Sequence, residues 1–108
     1  MAKILFSPAA KQDLIEIGDY IAQRLHNRAA ARNTVGRIQS AVFHLRDFPE
    51  SGTPLLLPGV HILYRYLVCG SYMVFYHLAE DTACIDRIPY GRRDYMHLLF
   101  GNVFEEGE

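Results

Sequence analysis

The chain has no tryptophan, only two cysteines and no marked excess of charge of either sign. Cys69 and Cys84 are too few for a disulfide-stapled scaffold, and both sit in apolar runs where a free thiol behaves as a small buried hydrophobe. A formal charge of −1 and a pI near 6.5 argue against a protein that lives on long stretches of nucleic acid. The acids are unevenly placed. With Glu105, Glu106 and Glu108 set aside, residues 1–104 carry 11 basic against nine acidic groups, or +2. No apolar run approaches the roughly 18 residues of a membrane span, and the N-terminus lacks a basic start followed by an apolar stretch. The expectation is a soluble, cytoplasmic protein with no membrane partner. A P-loop, a GxGxxG fingerprint, a GxSxG elbow and zinc-like Cys/His spacing are missing too, so no metal and no cofactor is expected. His26, His44, His61, His77 and His97 are scattered, with no pair at helical i, i+4 spacing.

What is present fits one small domain. Of the 108 residues half are hydrophobic and about a fifth charged, which allows one buried core and no second one. Residues 1–104 read as a single domain and 105–108 as an acidic tail. Lys3-Ile4-Leu5-Phe6 predicts a strand, ended by Ser7-Pro8, an N-cap and a first-turn proline that open a helix. Leu14, Ile17, Ile21 and Leu25 form one helical stripe, and Val35, Ile38, Val42 and Leu45 form a second after a break at His26-Asn27. Gly18, costly within a helix, points to close packing against a neighbour. A Pro/Gly-punctuated loop over residues 49–61 leads into three strand-like runs, 62–69, 72–79 and 82–88, separated by hairpin-length turns. The order is β-α-α-β-β-β: an α+β fold with a helical hairpin on one face of a largely antiparallel four-stranded sheet.

One strand breaks the usual alternation. Met73, Phe75 and His77 share one side, and Tyr72, Val74, Tyr76 and Leu78 the other, so neither side is polar. The second face therefore needs a cover, from a partner or from the C-terminal run Leu98-Leu99-Phe100 with Val103-Phe104.

Chemistry concentrates in Arg87-Ile88-Pro89-Tyr90-Gly91-Arg92-Arg93-Asp94-Tyr95, three arginines and two tyrosines around one glycine after an apolar run. Guanidinium forks suit phosphate or carboxylate. The competing reading is a strand end whose arginines pair with Asp86 and Asp94. Arg65, between Tyr64 and Tyr66, stands as a structural cation or a further contact. His77 reads as a histidine at the edge of the core. As acid and base, Tyr95 and His97 are the available residues beside Arg92 and Arg93.

In order and spacing, Phe6-Ser7-Pro8-Ala9-Ala10-Lys11-Gln12-Asp13-Leu14, Asp19-Tyr20-Ile21-Ala22, Phe48-Pro49-Glu50-Ser51-Gly52, Tyr64–Val68, Tyr72–Tyr76 and Gly91–Tyr95 resemble the RelE/ParE superfamily of type II toxins over roughly residues 3–97. The resemblance implies a growth-inhibiting toxin, neutralised by a small acidic antitoxin encoded beside it, in a toxin–antitoxin hetero-oligomer. RelE-type members cut mRNA on the ribosome, whereas ParE-type members poison DNA gyrase. At the third-strand position where the nucleases carry arginine this sequence has Met73, and their C-terminal tyrosine aligns near Leu98-Leu99. The ParE-like branch is therefore favoured, with gyrase as target and no catalytic residue required. Arg65, Arg87, Arg92, Arg93, Tyr95, Leu98, Leu99 and Phe100 are then the candidate target- or antitoxin-binding residues. The alternative is a ribosome-dependent, metal-free endoribonuclease using Arg92, Arg93, Tyr95 and His97. A non-toxic binding module is the third possibility.

Overall fold

Residues 1–91 and Leu99 are described by the computed structural model. The first strand, β1 (Lys3–Phe6), gives way to α1 (Pro8–Asp19) at Ser7, whose extended backbone and hydroxyl cap the helix by accepting from the Ala10 N–H at 3.0 Å. Asn27 does the same for α2 (Arg28–Phe43), accepting from the Ala30 N–H at 2.9 Å. Both caps satisfy amides that the first helical turn leaves without carbonyls.

The two apolar stripes behave differently. In α2, Ile38, Val42 and the following Leu45 are buried, with Ala31 beside them. On the first stripe, Ile17 of α1 and Ile21 beyond its end are buried, but Leu25 is 60% exposed. A π-helical turn over Tyr20–Arg24 follows α1. Its wider winding shifts the phase of the stripe, which turns the next apolar residue outward. The helices approach closely at Gly18, where a β-carbon would stand 3.5 Å from the Val35 side chain.

Among the described residues the sheet has five strands, one more than the four expected, in the order β1-β5-β4-β3-β2. The extra strand, β2 (Thr53–Leu55), lies inside the segment expected to be loop and pairs antiparallel with β3 (Tyr64–Cys69). β4 (Tyr72–Ala79) and β5 (Thr82–Arg87) complete a meander through two-residue turns. β1 lies parallel to β5, so the sheet is mixed, with strands from the two ends of the sequence side by side. Leu45, Ile38, Val42, Val74, Tyr76, Ala83 and Ile85 form the core between helices and sheet.

The opposite face is closed at its centre and open at its ends. Phe75 and Tyr64 are 1% and 8% exposed there, whereas Val68 and Leu5 are 68% and 59% exposed. Apart from Leu99, which is partly buried, the C-terminal run expected to cover this face lies outside the described residues. Among those residues no helix is long and apolar enough to cross a membrane.

Candidate functional site

The segment after β5 turns back along the start of β4. The Met73 N–H donates to the Pro89 carbonyl at 3.0 Å and the Gly91 N–H to the Ser71 carbonyl at 2.6 Å, with a bridge between Tyr72 and Tyr90. The two tyrosine rings meet edge to face, 5.4 Å apart. This pair borders two grooves. One, about 660 Å³, lies on the open sheet face among Leu55, Tyr66, Val68, Met73 and Phe75. The other, about 610 Å³, lies toward α1 among Asp13, Glu16, Ile17 and Tyr20. Met73 thus stands in an apolar groove, where its thioether offers no charge to an anion.

Arg87 and Arg65 are both engaged within the protein. Arg87 donates through Nε and Nη2 to the two carboxylate oxygens of Asp13, at 2.8 and 2.9 Å. Asp13 Oδ2 also accepts from the Ile88 N–H at 2.8 Å. The Arg87 guanidinium is held even more firmly protonated than usual, chiefly by that hydrogen-bonded carboxylate. The expected partners of the arginine run were Asp86 and Asp94; the observed partner of Arg87 comes from α1. A signal for it existed in the sequence, since Asp13 interrupts the buried stripe between Ala10 and Ile17.

Arg65 Nη1 donates to the carbonyls of Glu50 and Gly52, each at 3.0 Å. It helps to hold the turn that leads into β2. Tyr76, fully buried, completes that clamp: its hydroxyl donates to the Pro49 carbonyl at 2.8 Å and accepts from the Gly52 N–H at 2.9 Å. Gly52 is required because a β-carbon there would fall 2.5 Å from the Tyr76 oxygen. Residues 49–52, quoted above for family resemblance, are therefore a backbone anchor, and nothing in sequence spacing pointed to Tyr76 as its centre.

Asp86 sits at an irregularity in the β4–β5 register, where Tyr76 pairs with Ile85 but Phe75 with Arg87. Such a bulge leaves one residue extra on its strand. The Asp86 carboxylate meets His77 Nδ1 at 2.7 Å, and the His77 ring lies edge-on to Tyr64. Burial raises the Asp86 pKa, an effect that the His77 hydrogen bond only partly offsets. Cys84, opposite His77, is also raised, first by burial and then by Asp86, so its thiol is not activated as a nucleophile. Burial likewise raises the hydroxyls of Tyr64, Tyr72 and Tyr76, leaving them protonated near neutrality and unsuited to act as bases. His26, His44 and His61 are exposed and away from these groups in sequence. Among the described residues no three His, Cys, Asp or Glu side chains converge to hold a metal ion.

Of the other candidates, Arg92, Arg93, Tyr95, His97, Leu98 and Phe100 lie outside the described residues.

Comparison with known proteins agrees with this architecture. Residues 4–95 match the family model described as the ParE toxin of type II toxin–antitoxin system, parDE. A solved chain of the chromosomal ParDE toxin–antitoxin system from P. aeruginosa is similar at 22% identity and a TM-score of 0.71, covering 85% of this chain and 98% of that one. The RelBE2 toxin–antitoxin complex from Mycobacterium tuberculosis shares the fold at 18% identity and a TM-score of 0.52, covering 82% and 90% respectively. No curated protein sequence is similar enough to count as a match.

Proposed function

Because the chain belongs to the ParE toxin family of type II toxin–antitoxin systems, we propose that it halts growth by binding DNA gyrase and stabilising the cleaved DNA–gyrase complex. The observation that carries this reading is Met73 in the groove beside Tyr90, at the position where the RelE-type nucleases resembled by the sequence hold an arginine. A nuclease must neutralise charge that develops on phosphate, and a thioether does not. Arg65 and Arg87 add support, since their guanidiniums are bound to the protein's own carbonyls and to Asp13. A toxin that acts by binding needs no acid–base pair. Arg92, Arg93 and the C-terminal apolar run are the contacts proposed for the target.

The partner follows from the same reading. The similar solved structures are of toxin–antitoxin systems. By analogy a small acidic antitoxin, encoded beside this chain, masks it by folding an extended segment onto the exposed apolar surface that includes Val68 and Leu5.

Purified chain is expected to inhibit gyrase supercoiling and to accumulate cleaved DNA, with Arg93→Ala weakening both. Primer extension on translated message separates the alternatives. Codon-linked cuts with gyrase unaffected would establish the ribosome-dependent ribonuclease in its place. Induction without any growth defect would leave a non-toxic binding module.

A further inference from the structure

The near-neutral total conceals a strongly divided charge. Residues 20–46 contain five arginines and no aspartate or glutamate, so this stretch carries +5 and the remainder −6 against the chain's −1. Two of the five are occupied: Arg24 lies over the Tyr20 ring at 5.8 Å, and Arg46 reaches the Met1 sulfur at 3.1 Å. The other three, Arg28, Arg32 and Arg37, are exposed on α2 and make no ion pair with any described carboxylate.

Their surroundings narrow the partner. At 3.6 residues per turn, Ala29, Asn33, Gly36 and Ser40 share one outward strip of α2, flanked by Arg37 on one side and on the other by Arg32 and Arg28, which border the groove toward Gly18 and Ala22 of the first helical segment. A β-carbon at Gly36 would meet nothing within 4 Å, so the strip is open to close approach. A protein partner is held mainly by large apolar or aromatic anchors seated in pockets. This strip offers small and polar side chains, with the first large apolar residue, Phe43, at its far end. A sugar–phosphate backbone asks for the opposite: cations, small polar donors and no steric bulk. All three cations are arginine, whose planar fork suits phosphate. From Arg28 to Arg37 the helix advances roughly 14 Å, and duplex DNA carries a charge every 1.7 Å or so of its axis, so several phosphates fall within that span.

We propose that α2 grips the phosphate backbone of duplex DNA from its two flanks, with Arg28 and Arg32 on the side toward α1 and Arg37 on the other. The choice of duplex rests on the gyrase reading, which places the protein against DNA held by its target. The grip is independent of base sequence, and it lies on a different element from the strand-end groove.

The test is fluorescence anisotropy of a labelled random-sequence duplex with the full chain, across a salt series. Binding is expected with a log–log salt slope of about −3, one increment per arginine. The variant Arg28→Gln/Arg32→Gln/Arg37→Gln is expected to bind about tenfold or more weakly at roughly 50 mM salt, with a slope near zero. Lys3→Gln/Lys11→Gln, which removes charge elsewhere, is expected to leave binding within about twofold. Circular dichroism melts establish that each variant folds. Unchanged binding by the triple variant, or no duplex binding by the folded parent, overturns the inference. So does tighter binding to RNA of equal length, or binding to an acidic peptide in place of DNA. Gyrase cleavage assayed alongside keeps the two proposals apart: trapped cleavage without duplex binding overturns this one, whereas arginine-dependent duplex binding without trapping supports it and overturns the gyrase reading.

Discussion

Tyr76 uses one oxygen as donor and acceptor at once, tying Pro49 and Gly52 to the centre of the sheet. Tyr76→Phe removes both hydrogen bonds and leaves the Gly52 N–H buried without its partner, at an expected cost of about 1–3 kcal/mol in urea unfolding. Gly52→Ala is expected to cost a similar amount, roughly 1–3 kcal/mol, through overpacking. Tyr76→Phe should not rescue it, because the ring carbon Cε1 already lies 2.6 Å from the added methyl. Asp86 gives a pH signature. The folded protein holds its proton more tightly than the unfolded chain, whose reference value is 3.8, because burial outweighs the His77 hydrogen bond. The Asp86 contribution is thus fully present below that reference value and declines as pH rises through the elevated range. Asp86→Asn is expected to remove this component, so that urea midpoints of parent and variant measured from pH 3 to 7 converge at the acid end. None of these pairings was legible in the sequence. Tyr76 and Pro49, or His77 and Asp86, become partners only when strands align, and strand register depends on turns and bulges far from either residue.

Elements were easier to read than contacts. Ser7-Pro8 and the 3.6-residue stripes located both helices because capping and burial act locally. Ser7→Ala is expected to destabilise the protein by about 1–2 kcal/mol, measured by thermal melting, since it removes the α1 cap and a hydrogen bond to the Asp86 carbonyl. β2 escaped notice for a physical reason. Three residues with Pro54 in the middle have little strand propensity, and an edge strand that pairs on one side only tolerates a proline. The π turn was equally hidden: the apolar spacing from Leu14 to Leu25 fits a continuous helix, and only the exposure of Leu25 reveals the slip. As for the candidate site, the sequence reading names residues of the strand end and Met73 but not what surrounds them. It left Arg65 and Arg87 open between structural roles and partner contacts, because Glu50, Gly52 and Asp13 arrive beside them from other elements.

Across the whole molecule, the Asp13–Arg87 pair joins α1 to the end of β5 over a separation of 74 residues. Asp13→Ala takes away three hydrogen bonds, all accepted by its carboxylate and two of them from the Arg87 guanidinium, and is expected to cost about 2–4 kcal/mol in denaturant unfolding. Asp13→Asn, which keeps an acceptor, should cost less than Asp13→Ala. The parallel pairing of β1 with β5 has a further consequence, for synthesis. The first strand leaves the ribosome early, but its neighbour in the sheet is the last strand of the meander. Until residues 82–88 have emerged, β1 has no partner, Ser7 lacks the Asp86 carbonyl and Asp13 lacks both Arg87 and the Ile88 amide. A nascent chain stopped short of β5 should therefore be unfolded and open to proteolysis. The molecule can fold only once β5 has been made and has left the ribosome.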